Sequence, residues 1–175
     1  MLKTLLIGLL VLLPAAASAA TSLFLKIDGV PGDSVNALHA GEIDVASFAW
    51  GVGPNDARKP VTCPTTLSIT KLFDGASPPL ALAALTSQRF ATARLTVERS
   101  AGGAVSGFDY VTITMSNVGV SRYQTAGSES DTALMESLEL SFTSITVQYT
   151  PQKNDGTAGD PKSFSYDATK PCLKN

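Results

Sequence analysis

Apolar residues recur at every second position through most of this chain, and that period selects sheet over helical bundle. Leu23, Leu25 and Ile27 alternate with Ser22, Phe24, Lys26 and Asp28, giving a first strand with one strongly apolar face. Ile43, Val45 and Ser47 alternate with Asp44, Ala46, Phe48 and Trp50 in a second. Leu67 and Ile69 mark a third, and Ala91, Ala93, Leu95 and Val97 a fourth. Tyr110 to Val120 is rich in β-branched residues, with Asn117 and Gly119 placed to kink or bulge it. Leu138, Leu140 and Phe142, followed by Ile145, Val147 and Tyr149, predict either a strand pair or one bent strand. Ser163 to Tyr166 predicts a last short strand. Turn signals separate these runs, among them Pro31-Gly32-Asp33-Ser34, Ala101-Gly102-Gly103-Ala104 and Asn154-Asp155-Gly156. Seven or eight antiparallel strands of this kind predict a barrel or a sandwich.

One segment breaks the period. Ser77 is a good helix cap, and Pro78 suits a first turn because its missing N–H would find no partner there. Leu80 to Leu85 has high helix propensity, over about ten residues, too few to be stable without packing. Its apolar content runs all round, which predicts a helix lying against or across the sheet.

The N-terminus carries a different message. Lys3 precedes an apolar run from Leu5 to Leu13, Pro14 ends it, and small residues follow. This is the three-part pattern of a secretory leader, with Ala17-Ser18-Ala19 as the cleavage motif and the cut between Ala19 and Ala20. The run is roughly half the ~20 residues that a membrane-spanning helix needs. The expected organisation is a leader over 1–19 and one domain over 20–175, with the product periplasmic or extracellular and no stable membrane span after processing. Export also changes how Cys63 and Cys172 read. In an oxidising compartment they either form one intramolecular disulfide or stay as two thiols.

Composition narrows the chemistry. A formal charge of −2 gives no basic face for nucleic acid. One His and two Cys exclude nearly every His/Cys metal cluster. His39 with Glu42 three residues on has the look of an acid–base pair, but no G-x-S-x-G elbow supplies a nucleophile, so His39 reads as a loop residue bonding locally. Glu42 and Asp44 share a strand face, which reads as a polar face or subunit contact. Asp131, Glu129 and the 154–156 turn lack the twelve-residue calcium pattern, and no phosphate-binding loop occurs. No catalytic residue and no cofactor is expected.

Seven short motifs then fall in order along the domain. They are Phe24-Leu25-Lys26-Ile27-Asp28-Gly29; His39-Ala40-Gly41-Glu42-Ile43-Asp44-Val45 with Phe48-Ala49-Trp50-Gly51; Ser68-Ile69-Thr70-Lys71 with Ala76-Ser77-Pro78; Ala93-Arg94-Leu95-Thr96-Val97; Val120 to Ser128; Glu136 to Phe142; and Tyr149-Thr150-Pro151-Gln152-Lys153-Asn154-Asp155-Gly156. Together they resemble the tube protein of type VI secretion systems, the haemolysin-coregulated protein (Hcp) family. The resemblance implies an antiparallel β-barrel of two sheets with one short α-helix. It further implies a non-enzymatic subunit that forms six-membered rings, stacks into a tube, meets a spike protein and carries effectors. The loops expected to serve self-assembly hold Ser34 and His39, then Pro54, Asn55 and Arg58, then Gln124 and Ser128. Two features set this chain apart: its leader, and a compact stretch from Val52 to Pro64 with Pro54, Pro60, Pro64 and Cys63. They point to a second reading, an exported module of the same fold that does not stack.

Overall fold

A computed structural model describes residues 21–51, 66–99 and 107–170. The expected leader with its cut between Ala19 and Ala20, the 52–65 segment with Pro54, Asn55, Arg58 and Cys63, the turn expected over Ala101–Ala104, and Cys172 lie outside the described residues.

Among the described residues, nine strands and one helix follow in the order β1 (Thr21–Ile27), β2 (Ile43–Asp44), β3 (Ser47–Ala49), β4 (Thr66–Leu72), α1 (Ser77–Thr86), β5 (Arg89–Arg99), β6 (Phe108–Ala126), β7 (Met135–Ser141), β8 (Ser144–Tyr149) and β9 (Lys162–Asp167). All pairings are antiparallel. The main path runs β2-β1-β5-β6-β7-β4-β3, with β8 on β6 and β9 on β8.

The expected second strand is two strands. Ile43–Asp44 pairs with β1, while Ser47–Ala49 pairs with β4 at the far end of the path. Between them the Val45 amide bonds Leu23 O and the Ala46 amide bonds Thr70 O. The two ends of the sheet are thus consecutive in sequence, and the chain itself bridges them. The expected alternation does not run through the break: Ile43 and Val45 face the core, Ala46 and Ser47 are both exposed, and Phe48 and Trp50 take the core side one step out of phase, because the change of partner strand re-sets which positions face inward. The expected pair of sheets is therefore corrected to one connected nine-stranded sheet, curled so that its ends share a segment.

Residues 135–149 are one bent strand in the sense that matters. β8 faces Val111–Ser116 of β6 and β7 faces Gly119–Ala126, in nearly the same register throughout. At the bend β6 carries Asn117 in a left-handed conformation, φ 51°, which Asn tolerates better than most residues. A bulge follows between Val120 and Arg122. Beyond the bend the sheet forks, with β4 and β3 continuing from β7 and β9 from β8. Trp50, just past β3, stacks on Phe164 of β9 at 6.1 Å, tying the two branches together.

Outside residues 43–50 the core is what the alternation predicts. Leu25, Ile27, Leu67, Ile69, Ala93, Leu95, Ile113, Met115, Leu138, Leu140 and Ile145 are all buried in one cluster, with Phe48, Trp50 and Val147 packed on its margin. The helix covers this cluster with Leu80 and Ala83, and leaves Leu82 and Leu85 exposed. Its start corrects the expectation. Ala76, not Ser77, is the capping residue, without a side-chain cap bond, and Ser77 is the first helical residue. The Ser77 hydroxyl turns inward because a buried ion pair claims it.

Candidate functional site

Two buried polar clusters stand out, one on each side of the curled sheet. The inner one is built by register. In β4 the core-facing positions are Leu67, Ile69 and Lys71; in β7 they are Glu136, Leu138 and Leu140. Lys71 pairs directly across from Glu136, so two charges face each other inside the apolar cluster. Lys71 Nζ lies 2.8 Å from Glu136 Oε2 and 2.6 Å from Asp74 Oδ1, and also donates to Leu72 O and Ser77 Oγ. Ser77 Oγ donates to Glu136 Oε2 at 2.8 Å and accepts the Asp74 amide at 2.9 Å. Tyr123 OH donates to Glu136 Oε1, with Thr125 Oγ1 at 3.4 Å. Burial pushes the Glu136 carboxyl up, but hydrogen bonds from Lys71, Tyr123 and Ser77 outweigh that and hold it below its ordinary value. Burial, then the bond to Glu136, pushes the Tyr123 phenol up.

A serine 2.9 Å from a lysine suggests nucleophilic chemistry. Both side chains are wholly buried, so no substrate reaches them, and the ammonium's hydrogens are spread over four acceptors. The arrangement is a rivet. It fixes the start of α1 to β4 and β7.

The outer cluster lies beneath residues 31–42. This loop folds back over the outward face of β1 and β5. Gly32 makes the approach possible, since a Cβ there would sit 2.4 Å from Glu42 O, and Gly41 turns the chain at φ 73°. Gly32 N donates to Gly41 O, Ser34 N to Glu42 O and Gly41 N to Ser34 O. His39 stacks on Phe24 at 4.3 Å. Its Nδ1 is 3.0 Å from Glu42 Oε2; its Nε2 is 3.3 Å from Asp109 Oδ1, near enough for charge attraction but not aligned as a hydrogen bond. Arg94 Nη2 reaches the other Glu42 oxygen at 3.5 Å, and Asn36 Nδ2 donates to Glu98 Oε2 at 2.9 Å. Beside the loop, against Thr21–Phe24 of β1, runs a groove of about 550 Å3.

The residues singled out for self-assembly fall in two places. Ser34 and His39 are buried in the outer cluster, so the loop's surface is carried by Val35 and Leu38, 95% and 58% exposed. Gln124 and Ser128 are exposed at the other end of β6. Gln124 accepts from Arg122 at 3.2 Å, and the Ser128 amide bonds Asp131 at 2.7 Å. Some fifteen residues of β6 separate Asp109, against His39, from Gln124, roughly 50 Å if the strand ran straight. Pro54, Asn55 and Arg58 lie outside the described residues, as does the Cys63–Cys172 pair. Lys71, Asp74, Ser77, Tyr123 and Glu136 were missed as a group. The signal was available: the alternation of Leu67 and Ile69, and of Leu138 and Leu140, each extends one step to a charge. Among the described residues no group of three or more His, Cys, Asp or Glu is placed to hold a metal ion. No helix among them is long and apolar enough to cross a membrane.

A family model described as "Type VI secretion system effector, Hcp" matches residues 24–149, from β1 through the end of β8. Protein hcp1 of Pseudomonas aeruginosa is 35% identical over 155 residues, spanning 84% of this chain and 94% of that protein. A solved structure described as that of a type six secretion system protein matches with a TM-score of 0.77 and 28% identity, over 89% of this chain and 100% of the other. Hcp1 of Salmonella typhimurium matches with a TM-score of 0.71 and 27% identity, over 86% of this chain and 96% of the other. The curled antiparallel sheet with its one helix is thus the fold of these proteins, and the chain belongs to the Hcp family of type VI secretion proteins.

Proposed function

We propose that this chain is a structural, non-enzymatic tube subunit whose copies join head to tail into six-membered rings that carry effectors and meet a spike protein. A closed ring needs two different complementary patches on each copy. The observation that carries the reading is that the two described sets of candidate residues lie at opposite ends of the 19-residue β6. Val35 and Leu38 project near one end, and Gln124 and Ser128 lie near the other. The inner rivet supports a structural role, because its only serine–lysine contact is sealed from solvent. We further propose that residues 1–19 are an export leader, that 20–175 form the domain, that Cys63 and Cys172 pair after export, and that the product is periplasmic or extracellular.

Size-exclusion chromatography with light scattering tests ring formation. The expected mass is six times that of the processed chain; a monomer at high concentration overturns the ring. The leader and the proline-rich 52–64 stretch favour a second reading, an exported module of this fold that forms no stack. Fractionation of cells with and without the contractile machine separates the two. Release that depends on the machine supports the tube subunit; processing at Ala19 with machine-independent export supports the exported module.

A further inference from the structure

We propose that His39 is a proton-operated latch that clamps the 31–42 loop onto the outer face of the sheet. A neutral imidazole carries one N–H and one lone pair. Here each ring nitrogen faces a carboxylate, Nδ1 toward Glu42 and Nε2 toward Asp109. A neutral ring satisfies one of them and turns a lone pair toward the other. A protonated ring donates to both, and so bridges its own loop to β6. The Asp109 contact, longer and unaligned, is the one that a second N–H completes.

Charged groups face the ring from each element packed against it. The loop contributes Glu42, β5 contributes Glu98 and Arg94, and β6 contributes Asp109. From β1 the ring meets Phe24, with Lys26 two residues on along the same face and Asp44 of β2 opposite Phe24 in register. Close to the ring, Glu42 and Asp109 meet one cation, Arg94, and that guanidinium is on the far oxygen of Glu42 at 3.5 Å. Asn36 is already committed to Glu98.

What the latch controls is also on the surface. The clamped loop holds Val35 outward and forms one wall of the groove along Thr21–Phe24. Acid therefore fixes the loop and groove in the geometry described. Alkaline conditions release the Asp109 contact and loosen both. The inference is independent of ring formation, because all its contacts lie within one chain.

His39 is the only histidine, so labelling histidine alone with nitrogen-15 reports on it without ambiguity. In the purified protein the two ring nitrogens should move from one protonated and one bare at pH 8.5 to both protonated at pH 4.5. Over the same range, hydrogen exchange at the loop peptides, corrected for intrinsic pH dependence, should slow at least fivefold on acidification. Asp109→Asn, at a half-exposed position, should reduce the exchange difference below twofold. Ring signals that stay flat across this range overturn the latch. So does a ring that gains its second proton while loop exchange stays constant, or an Asp109→Asn variant whose loop exchange behaves like wild type.

Discussion

The inner and outer polar clusters are close in composition and opposite in design. Each places a basic side chain against two carboxylates. The inner one is locked by sheet register: Lys71 and Glu136 are cross-strand partners, and Ser77, Asp74 and Tyr123 complete them. The outer one is held by a glycine-dependent loop and, among the described residues, leaves Nε2 of His39 and Oγ1 of Thr96 without a hydrogen bond. A strand pair cannot shift without moving its whole ladder, so a rivet belongs inside. A loop can lift without unfolding the sheet, so an adjustable contact belongs outside.

The sharpest way to break this contrast is Glu136→Ala. It leaves Lys71 buried without its cross-strand partner, and should cost about 3–5 kcal/mol in urea unfolding. Asp74 still accepts from Nζ, which favours the lower end. Replacing both partners, Lys71→Met with Glu136→Leu, should recover most of that loss, because removing a buried pair together is often near neutral. If the single and double variants lose equally, the inner pair is not the unit described.

Gly32→Ala should cost on the order of 2 kcal/mol, since a Cβ collides with the Glu42 carbonyl and the loop must move. Exchange should rise at 31–42 while β4 and β7 stay protected. Uniform loosening would mean the two clusters are one cooperative unit.

Acid separates the clusters by sign. Glu136 is held below its ordinary value of 4.5, so its contribution is present above that pH and is lost as pH falls through the folded value. Unfolding midpoints should decline below about pH 4.5, and Glu136→Gln should flatten that decline. On acidification the outer loop should tighten, whereas the inner rivet weakens once pH falls below about 4.5.

The smallest effect has the opposite sign. Thr96 is fully buried and its hydroxyl has no hydrogen-bond partner among the described residues, so Thr96→Val should be neutral or stabilise by about 0.5–1 kcal/mol. A clear loss of stability would show that the hydroxyl is satisfied after all.

Much of this was legible in the residues. Period two placed the core positions of β1, β4, β5 and β7, and Ser77-Pro78 marked the start of α1 within a residue. Ser77 reads as a cap in the sequence because that preference is local, while the claim of Lys71 and Glu136 on its hydroxyl is not. His39 was read as a loop residue bonding locally, which its Glu42 contact matches, but the Asp109 contact comes from 70 residues away. Lys71 and Glu136 were passed over because a charge at the end of an apolar alternation looks like a strand reaching solvent.

The sequence by itself determined the apolar inward positions of β1, β4, β5 and β7, where the described helix lies and which family motifs stand in order, because pleat, capping and turn chemistry are local. Only the tertiary structure decided that residues 43–49 serve two edges of the sheet, that 135–149 bends to feed two branches, and that a lysine and a glutamate 65 positions apart share one buried site. Alternation says which way a side chain points; it carries no information about which strand will stand beside it. That choice is made by whole-ladder register and by the burial it allows.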